Sequence, residues 1–393
     1  MLNITDKAAE DRIHPLFRLG FRPFFLFGTL YSIISVVIWV YAYQAGQPTA
    51  LRVPAIWWHV HEMFFAFAMA IVAGFVLTAV QTWTGVNGTK SYRLALIVAL
   101  WALPRVLFWT DTPLWITSII ESLFILSVTY EVGFRVVQSK GWKNLFFVPL
   151  FILAIIANFA SYATIKGMAP FPPSAVWQAM LWWFVLLLSV MGNRVIPFFT
   201  SRRFNSEKPQ PILWLDYAVN LSLVLLFALS FFPIASLEFS TPLMLVAGAL
   251  QLARFVRWKP WQTLSEPLVW SLHVSYGCIP VGLLVSGLTD GFIKHSMTHL
   301  FAVGALGGLI LAMIARVTMG HTGRMIYKGP AFWYGFAALF VAAVIRSFAV
   351  AFQPENMIAY VNVAAALWVF SFGLYLLKFG YMLATPRADG HPG

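Results

Sequence analysis

Residues 58–82 read WHVHEMFFAFAMAIVAGFVLTAVQT: two histidines and a glutamate, then a run from Met63 to Thr82 without a charged side chain. An α-helix rises 1.5 Å per residue, so a run of about 20 apolar residues matches the hydrocarbon thickness of a bilayer. Eleven further apolar stretches of spanning length lie near 23–43, 92–109, 113–137, 145–164, 174–193, 212–232, 241–257, 267–287, 296–319, 331–350 and 357–383. The 393 residues are 60% hydrophobic and only 10% charged, against about a quarter charged in soluble domains. This composition excludes a soluble enzyme, a disordered chain and a coiled coil, and the single Cys278 excludes a disulfide scaffold. The expected fold is all-α: a polytopic integral membrane protein of about twelve transmembrane helices. It forms one transmembrane domain over 1–393, with a short segment 1–22, helices over about 23–383 and a short tail.

The net charge of +12 is read here as a topology signal, with the lipid bilayer and not nucleic acid as the partner. Sorting the 26 Lys and Arg by side puts 21 in the N-terminal segment, the even-numbered loops and the C-terminal tail. Arg52, Arg105, Lys166, Lys294 and Arg346 fall on the other side. This asymmetry places both termini in the cytoplasm, which needs an even number of spans. The first stretch is long, Phe-rich and followed by further spans, unlike a cleavable signal. The loops are short, so no inserted soluble domain is expected. His61 and His299 each stand 22 residues before a Thr-Gly-containing triplet, Trp83-Thr84-Gly85 and His321-Thr322-Gly323; so short a match is close to chance.

On this topology the histidines form two layers. His59, His61, His295 and His299 lie at the outer ends of the second and tenth helices; His14, His273 and His321 lie at or near the inner face. Ionisable groups at membrane depth are costly and mark functional sites. Residues two apart on a helix point about 200° apart, so His59 and His61 share one metal only if the first turn is irregular; otherwise they serve different centres. His59, Glu62 and Met63 share a face and can offer N, O and S donors to one ion. Interfacial histidines in a Trp belt are the plainer reading. His295 and His299 at i, i+4 can hold a single metal. The small residues Gly304, Gly307 and Gly308 admit another helix or a flat cofactor.

His273 is flanked by Ser271, Ser275 and Tyr276, and either bonds to a neighbour or joins His14 and His321 as a ligand. Arg22, Arg194 and Arg316 look deeper than topology requires, with Arg324 nearby, and a guanidinium suits a carboxylate such as a haem propionate. Glu121 sits mid-helix with no basic residue within a turn. Buried without a partner it is protonated, since burial penalises the charged form; it is then a proton carrier or a neutral hydrogen-bonded acid. The chain lacks GxxxxGK[ST], a strand-borne GxGxxG, CxxCH and CxxC.

Four segments resemble the NnrS family: His14-Pro15-Leu16-Phe17-Arg18-Leu19-Gly20-Phe21-Arg22-Pro23-Phe24-Phe25, Trp58-His59-Val60-His61-Glu62-Met63, Met191-Gly192-Asn193-Arg194-Val195-Ile196-Pro197-Phe198-Phe199-Thr200, and Arg316-Val317-Thr318-Met319-Gly320-His321-Thr322-Gly323-Arg324. The resemblance implies a bacterial inner-membrane protein with haem b and copper, tied to nitric oxide metabolism, nitrosative stress and denitrification. By motif match it points to His59, His61, Glu62, His273, His299 and His321 as ligands or near-ligands, while His295 lies outside the pattern. Two functions are then expected to compete. One is a redox protein that binds and reduces nitric oxide, with His61 and His299 as axial ligands and His59 and Glu62 at a second metal. In that reading Glu121 passes protons, Glu62 and Glu121 are the catalytic groups, and electrons come from a quinol or a separate carrier. The other is a transporter or metal-handling protein without turnover, disfavoured by the absence of matched midplane helix breaks.

Overall fold

The computed structural model describes residues 10–393, except for the side chains of 233–237; Lys7, counted above on the inner side, lies outside the described residues. Twelve long helices coincide with the twelve apolar stretches, and no strand occurs among the described residues. They are α1 Phe21–Ala45, α2 Ala55–Thr84, α3 Ser91–Leu107, α4 Leu114–Gln138, α5 Phe147–Ile165 and α6 Pro173–Phe204. Then follow α7 Leu213–Leu229, α8 Pro233–Val256, α9 Pro267–Leu288, α10 Gly291–His321, α11 Trp333–Phe352 and α12 Met357–Ala384. Among the described residues ten helices are long and apolar enough to cross a membrane; α3 and α7, at 17 residues each, are the other two. The protein is a multi-pass helical membrane protein.

Two compact units divide the chain. The first holds the described residues up to Pro173 with Ile314–Pro330 and Tyr375–Gly393; the second holds Ser174–Met313 and Ala331–Leu374. In the first, α1 and α4 pack on α2, and α3 and α5 pack on α4. Close approach of α1 and α2 depends on Gly74, where an added Cβ would stand 2.8 Å from Phe24 Cβ. The Phe21 amide is satisfied by Thr78 Oγ1 at 2.9 Å, which ties the start of α1 to α2.

The helices α2 and α10 share an interruption that periodicity does not show. In α2 a regular segment ends at His61, a π-helical stretch covers Glu62–Ala68, and the regular helix resumes at Met69. In α10 the regular segment ends at His299, the π stretch covers Leu300–Gly307, and the helix resumes at Gly308. Gly85 and Gly323, with φ of 73° in both cases, follow the two helices in the left-handed conformation that glycine adopts without penalty. The echo seen in the sequence thus has a structural counterpart: a histidine at the entry to a π turn and a glycine stop. Such turns occur often at functional sites.

In the second unit the small residues after His299 are filled by protein. A Cβ on Gly304 would lie 2.8 Å from Cys278 Sγ, and one on Gly307 would lie 2.7 Å from the Trp368 ring. Of the two readings of this face, helix packing is the one observed, and no slot for a flat cofactor opens there. Gly304→Ala therefore overpacks the α9–α10 contact. It is expected to lower stability by about 1–3 kcal/mol, read by thermal unfolding in detergent, with partial recovery when Cys278→Ala is added.

Candidate functional site

One polar cluster in the first unit draws on five helices. Tyr31 comes from α1, His61 and Glu62 from α2, Arg105 from α3, Glu121 from α4, and Asn158 and Tyr162 from α5. His61 and Glu62 are fully buried, and Glu121 and Arg105 are 1% and 6% exposed. His61 Nδ1 lies 3.2 Å from Glu62 Oε1, and its Nε2 lies 3.2 Å from Glu121 Oε2 and 3.3 Å from Asn158 Oδ1. The Asn158 amide nitrogen donates to Ser122 Oγ at 3.0 Å and to the Ser118 carbonyl at 3.3 Å, so its oxygen is the atom that faces His61. Both ring nitrogens therefore face acceptors.

Arg105 joins the two carboxylates. Its Nε is 3.2 Å from Glu62 Oε2, and its Nη2 donates to Glu121 Oε1. Tyr31 donates to Glu62 Oε2, and Tyr162 donates to Glu121 Oε2 at 3.1 Å. Two carboxylates against one guanidinium leave one negative charge, which a proton on His61 or a bound cation neutralises. Arg105 Nη1 is buried without an acceptor in the protein. Aromatic rings wall the site: Trp57 stacks on His61 at 4.4 Å, with Phe65 at 4.8 Å and Phe108 at 5.8 Å. The Trp57 indole is held by the Ser161 carbonyl at 3.1 Å. One donor atom each from His61, Glu62 and Glu121 lie within 4.8 Å of one another, the separation a metal ion requires.

This geometry corrects two expectations. Glu121 is not an unpartnered acid, because Arg105 and His61 reach it from α3 and α2. His59, Glu62 and Met63 do not converge on one ion: His59 stacks on Trp39 at 4.5 Å, Met63 Sδ accepts from Ser35 at 3.7 Å, and Glu62 turns to Arg105 and His61. His59 and His61 thus serve different surroundings.

The remaining sites are scattered. His14 is exposed and caps a single 3₁₀ turn by accepting from the Leu16 amide. His295 is exposed with Nδ1 on the Gly291 carbonyl at 2.8 Å, and His299 is half-buried at the end of its helical segment. His321 packs 5.6 Å from the Phe21 ring. His273 is buried on α9 with Nε2 2.9 Å from Thr200 Oγ1. Arg22 is fully buried, yet its terminal nitrogens are spent on the carbonyls of Met382, Leu383, Thr385 and Gly393 and so cap the end of α12. Arg194 is exposed, Arg316 donates to Tyr327 OH at 2.8 Å, and Arg324 donates to the Thr322 carbonyl at 3.2 Å. Arg105, Tyr31, Asn158 and Tyr162 escaped the sequence reading. Arg105 alone carried a signal, as a charge inside an apolar helix.

Fold and site define a multi-pass membrane protein with a buried, charge-compensated histidine–carboxylate cluster. The NnrS protein family matches residues 15–387, and the chain belongs to that family. A search of curated proteins finds no match.

Removing Arg105 strands two buried carboxylates. Arg105→Ala is expected to cost about 3–5 kcal/mol, while Arg105→Gln combined with Glu121→Gln costs clearly less than the two single changes summed. Unfolding of the four proteins in one detergent measures that coupling, and additive costs would show that the pair is not joined.

Proposed function

We propose that this protein is a bacterial inner-membrane redox protein that binds nitric oxide and takes part in its reduction, in nitrosative-stress defence or denitrification. Twelve spans with both chain ends in the cytoplasm are the topology that fits the charge asymmetry. Membership of a family associated with nitric oxide metabolism supports the substrate. The observation that carries the chemistry is the buried cluster of His61, Glu62, Arg105 and Glu121, with Arg105 Nη1 left without an acceptor.

Two molecules of nitric oxide, two electrons and two protons give one nitrous oxide and one water, so the site must hold a small neutral gas and supply protons. Arg105 Nη1 is the donor free to meet an oxygen of the substrate. Tyr31 holds its hydroxyl proton against Glu62 Oε2 and Tyr162 holds its own against Glu121 Oε2, the two positions from which a proton can be handed to the site. Trp57, Phe65 and Phe108 exclude bulk water, which strengthens each electrostatic contact. Electrons enter from a quinol or a separate carrier.

Haem b and copper are the cofactors this reading calls for. The imidazole and two carboxylates fit a metal ion by donor type, separation and residual charge. His61, Glu62 and Glu121 would hold copper, which supplies a Lewis-acid and one-electron site for nitric oxide. Haem does not fit the two places the sequence favours. Protein side chains fill the glycine face after His299, and the terminal nitrogens of Arg22 are committed to carbonyls.

The test is purified protein in detergent, with metals counted by mass spectrometry and nitric oxide followed at an electrode with a reductant. His61→Ala is expected to lose copper. Tyr162→Phe, which deletes one hydrogen bond to a carboxylate, worth about 1.5–3 kcal/mol, is expected to keep its metal yet consume nitric oxide more slowly. Wild-type copper and wild-type rates in both variants would overturn the reading.

A further inference from the structure

The second unit contains an apolar cavity of about 390 Å³ whose walls include Phe255, Trp261, Trp270, His273, Gly277 and Phe340. No Lys, Arg, Asp or Glu lines it. Val281 on α9 and Phe340 on α11, which also line it, are 44% and 40% exposed, so the cavity borders the outward apolar faces of two membrane-spanning helices. Gly277 keeps it open: an added Cβ there would meet nothing nearer than the Phe255 ring at 3.4 Å, and any longer side chain would enter the cavity.

The one imidazole in this wall, and its one ring with a nitrogen acceptor, is His273, which is 1% exposed. Its hydrogen bonds fix what it can offer. Thr200 Oγ1 donates to the Ile196 carbonyl of its own helix at 2.9 Å, so its oxygen is left to accept from His273 Nε2–H, also at 2.9 Å. A neutral imidazole that donates through Nε2 presents Nδ1 as an acceptor. That Nδ1 is buried and has no hydrogen-bond partner in the protein. An unmet buried polar atom is costly, so a hydroxyl from a ligand is the group this wall lacks.

We infer that this cavity binds the head group of a membrane hydroquinone, with a ring hydroxyl donating to His273 Nδ1 and the ring lying among Phe255, Trp261 and Trp270. The ligand must be neutral, because no charged side chain lines the cavity. It must be apolar and able to enter from lipid, and it must carry an O–H donor. The oxidised quinone has only carbonyl acceptors and cannot satisfy Nδ1. A lipid acyl chain leaves Nδ1 unmet, and a haem brings two carboxylates for which the wall has no cation. The site stands on the cavity alone and does not depend on the chemistry proposed at His61.

The experiment is calorimetric titration of the full-length protein in detergent with decylubiquinol under anaerobic conditions, and separately with decylubiquinone. Wild type is expected to bind the quinol at least about fivefold more tightly than the quinone, the worth of one neutral hydrogen bond. His273→Leu removes that preference while retaining weak binding of both. Gly277→Leu, which leaves the imidazole in place, abolishes both. Equal affinity for the two ligands in wild type, or a preference that survives His273→Leu, overturns the assignment. So does displacement of neither ligand by Gly277→Leu. Loss of iron from His273→Leu purified alongside wild type overturns it in favour of a haem ligand. Failure of nitric oxide turnover leaves the binding result untouched, so the two readings fail separately.

Discussion

A guanidinium held between two carboxylates inside an apolar bundle is the constraint on which the first unit depends. Arg105 has Glu62 on one side and Glu121 on the other, and all three are buried. Within a membrane, apolar faces give neighbouring helices no strong reason to choose one register over another, because lipid tails are as apolar as leucine. A buried charge does choose, since a slip of one residue in α3 or α4 would strand it at a cost of several kcal/mol. Tyr31, Asn158 and Tyr162 then bring α1 and α5 into the same register through hydrogen bonds to the cluster.

The π turn explains how two consecutive residues of one helix serve one site. Side chains of neighbours on an α-helix diverge by about 100°, yet His61 Nδ1 and Glu62 Oε1 are 3.2 Å apart. The π stretch begins at Glu62, where the wider turn changes the direction of every later side chain relative to those before His61. It also brings the Ala66 carbonyl to the indole of Trp101 on α3 at 2.9 Å, which seats the helix that carries Arg105. The interruption therefore acts on the site twice: at the histidine–glutamate pair, and through the position of the arginine.

These features mark the limit of what the chain discloses before it folds. Hydropathy locates the helices because burial in lipid is set by each segment alone, and all twelve stretches are helical. Partnership is set between segments. Glu121 reads as an isolated acid since Arg105 is 16 positions away on another helix, and Arg105 reads as one of five charges on the less basic side. Arg22 shows the converse error: its depth is real, but what it meets is the end of α12 and not an external anion. The shared face of His59, Glu62 and Met63 fails for a local reason, since the π turn begins at Glu62 and redirects two of its three members.

The two units also differ in what their buried polar groups demand. In the second, Arg254 is 2% exposed and its terminal nitrogens are engaged by Asp216, Gln251, Ser189 and Tyr276, so its charge is spent on joining α6, α7, α8 and α9. The unsatisfied group in the apolar cavity wall of that unit is a neutral nitrogen, His273 Nδ1. In the charged cluster of the first unit the unsatisfied groups are a cationic donor, Arg105 Nη1, and one residual negative charge. A charged cluster is suited to moving protons and holding a cation, because each step exchanges one positive partner for another. A lone acceptor in hydrocarbon is suited to a neutral hydroxyl, because any charged ligand would be left uncompensated. The chemistry each site can perform follows from that difference in residual charge.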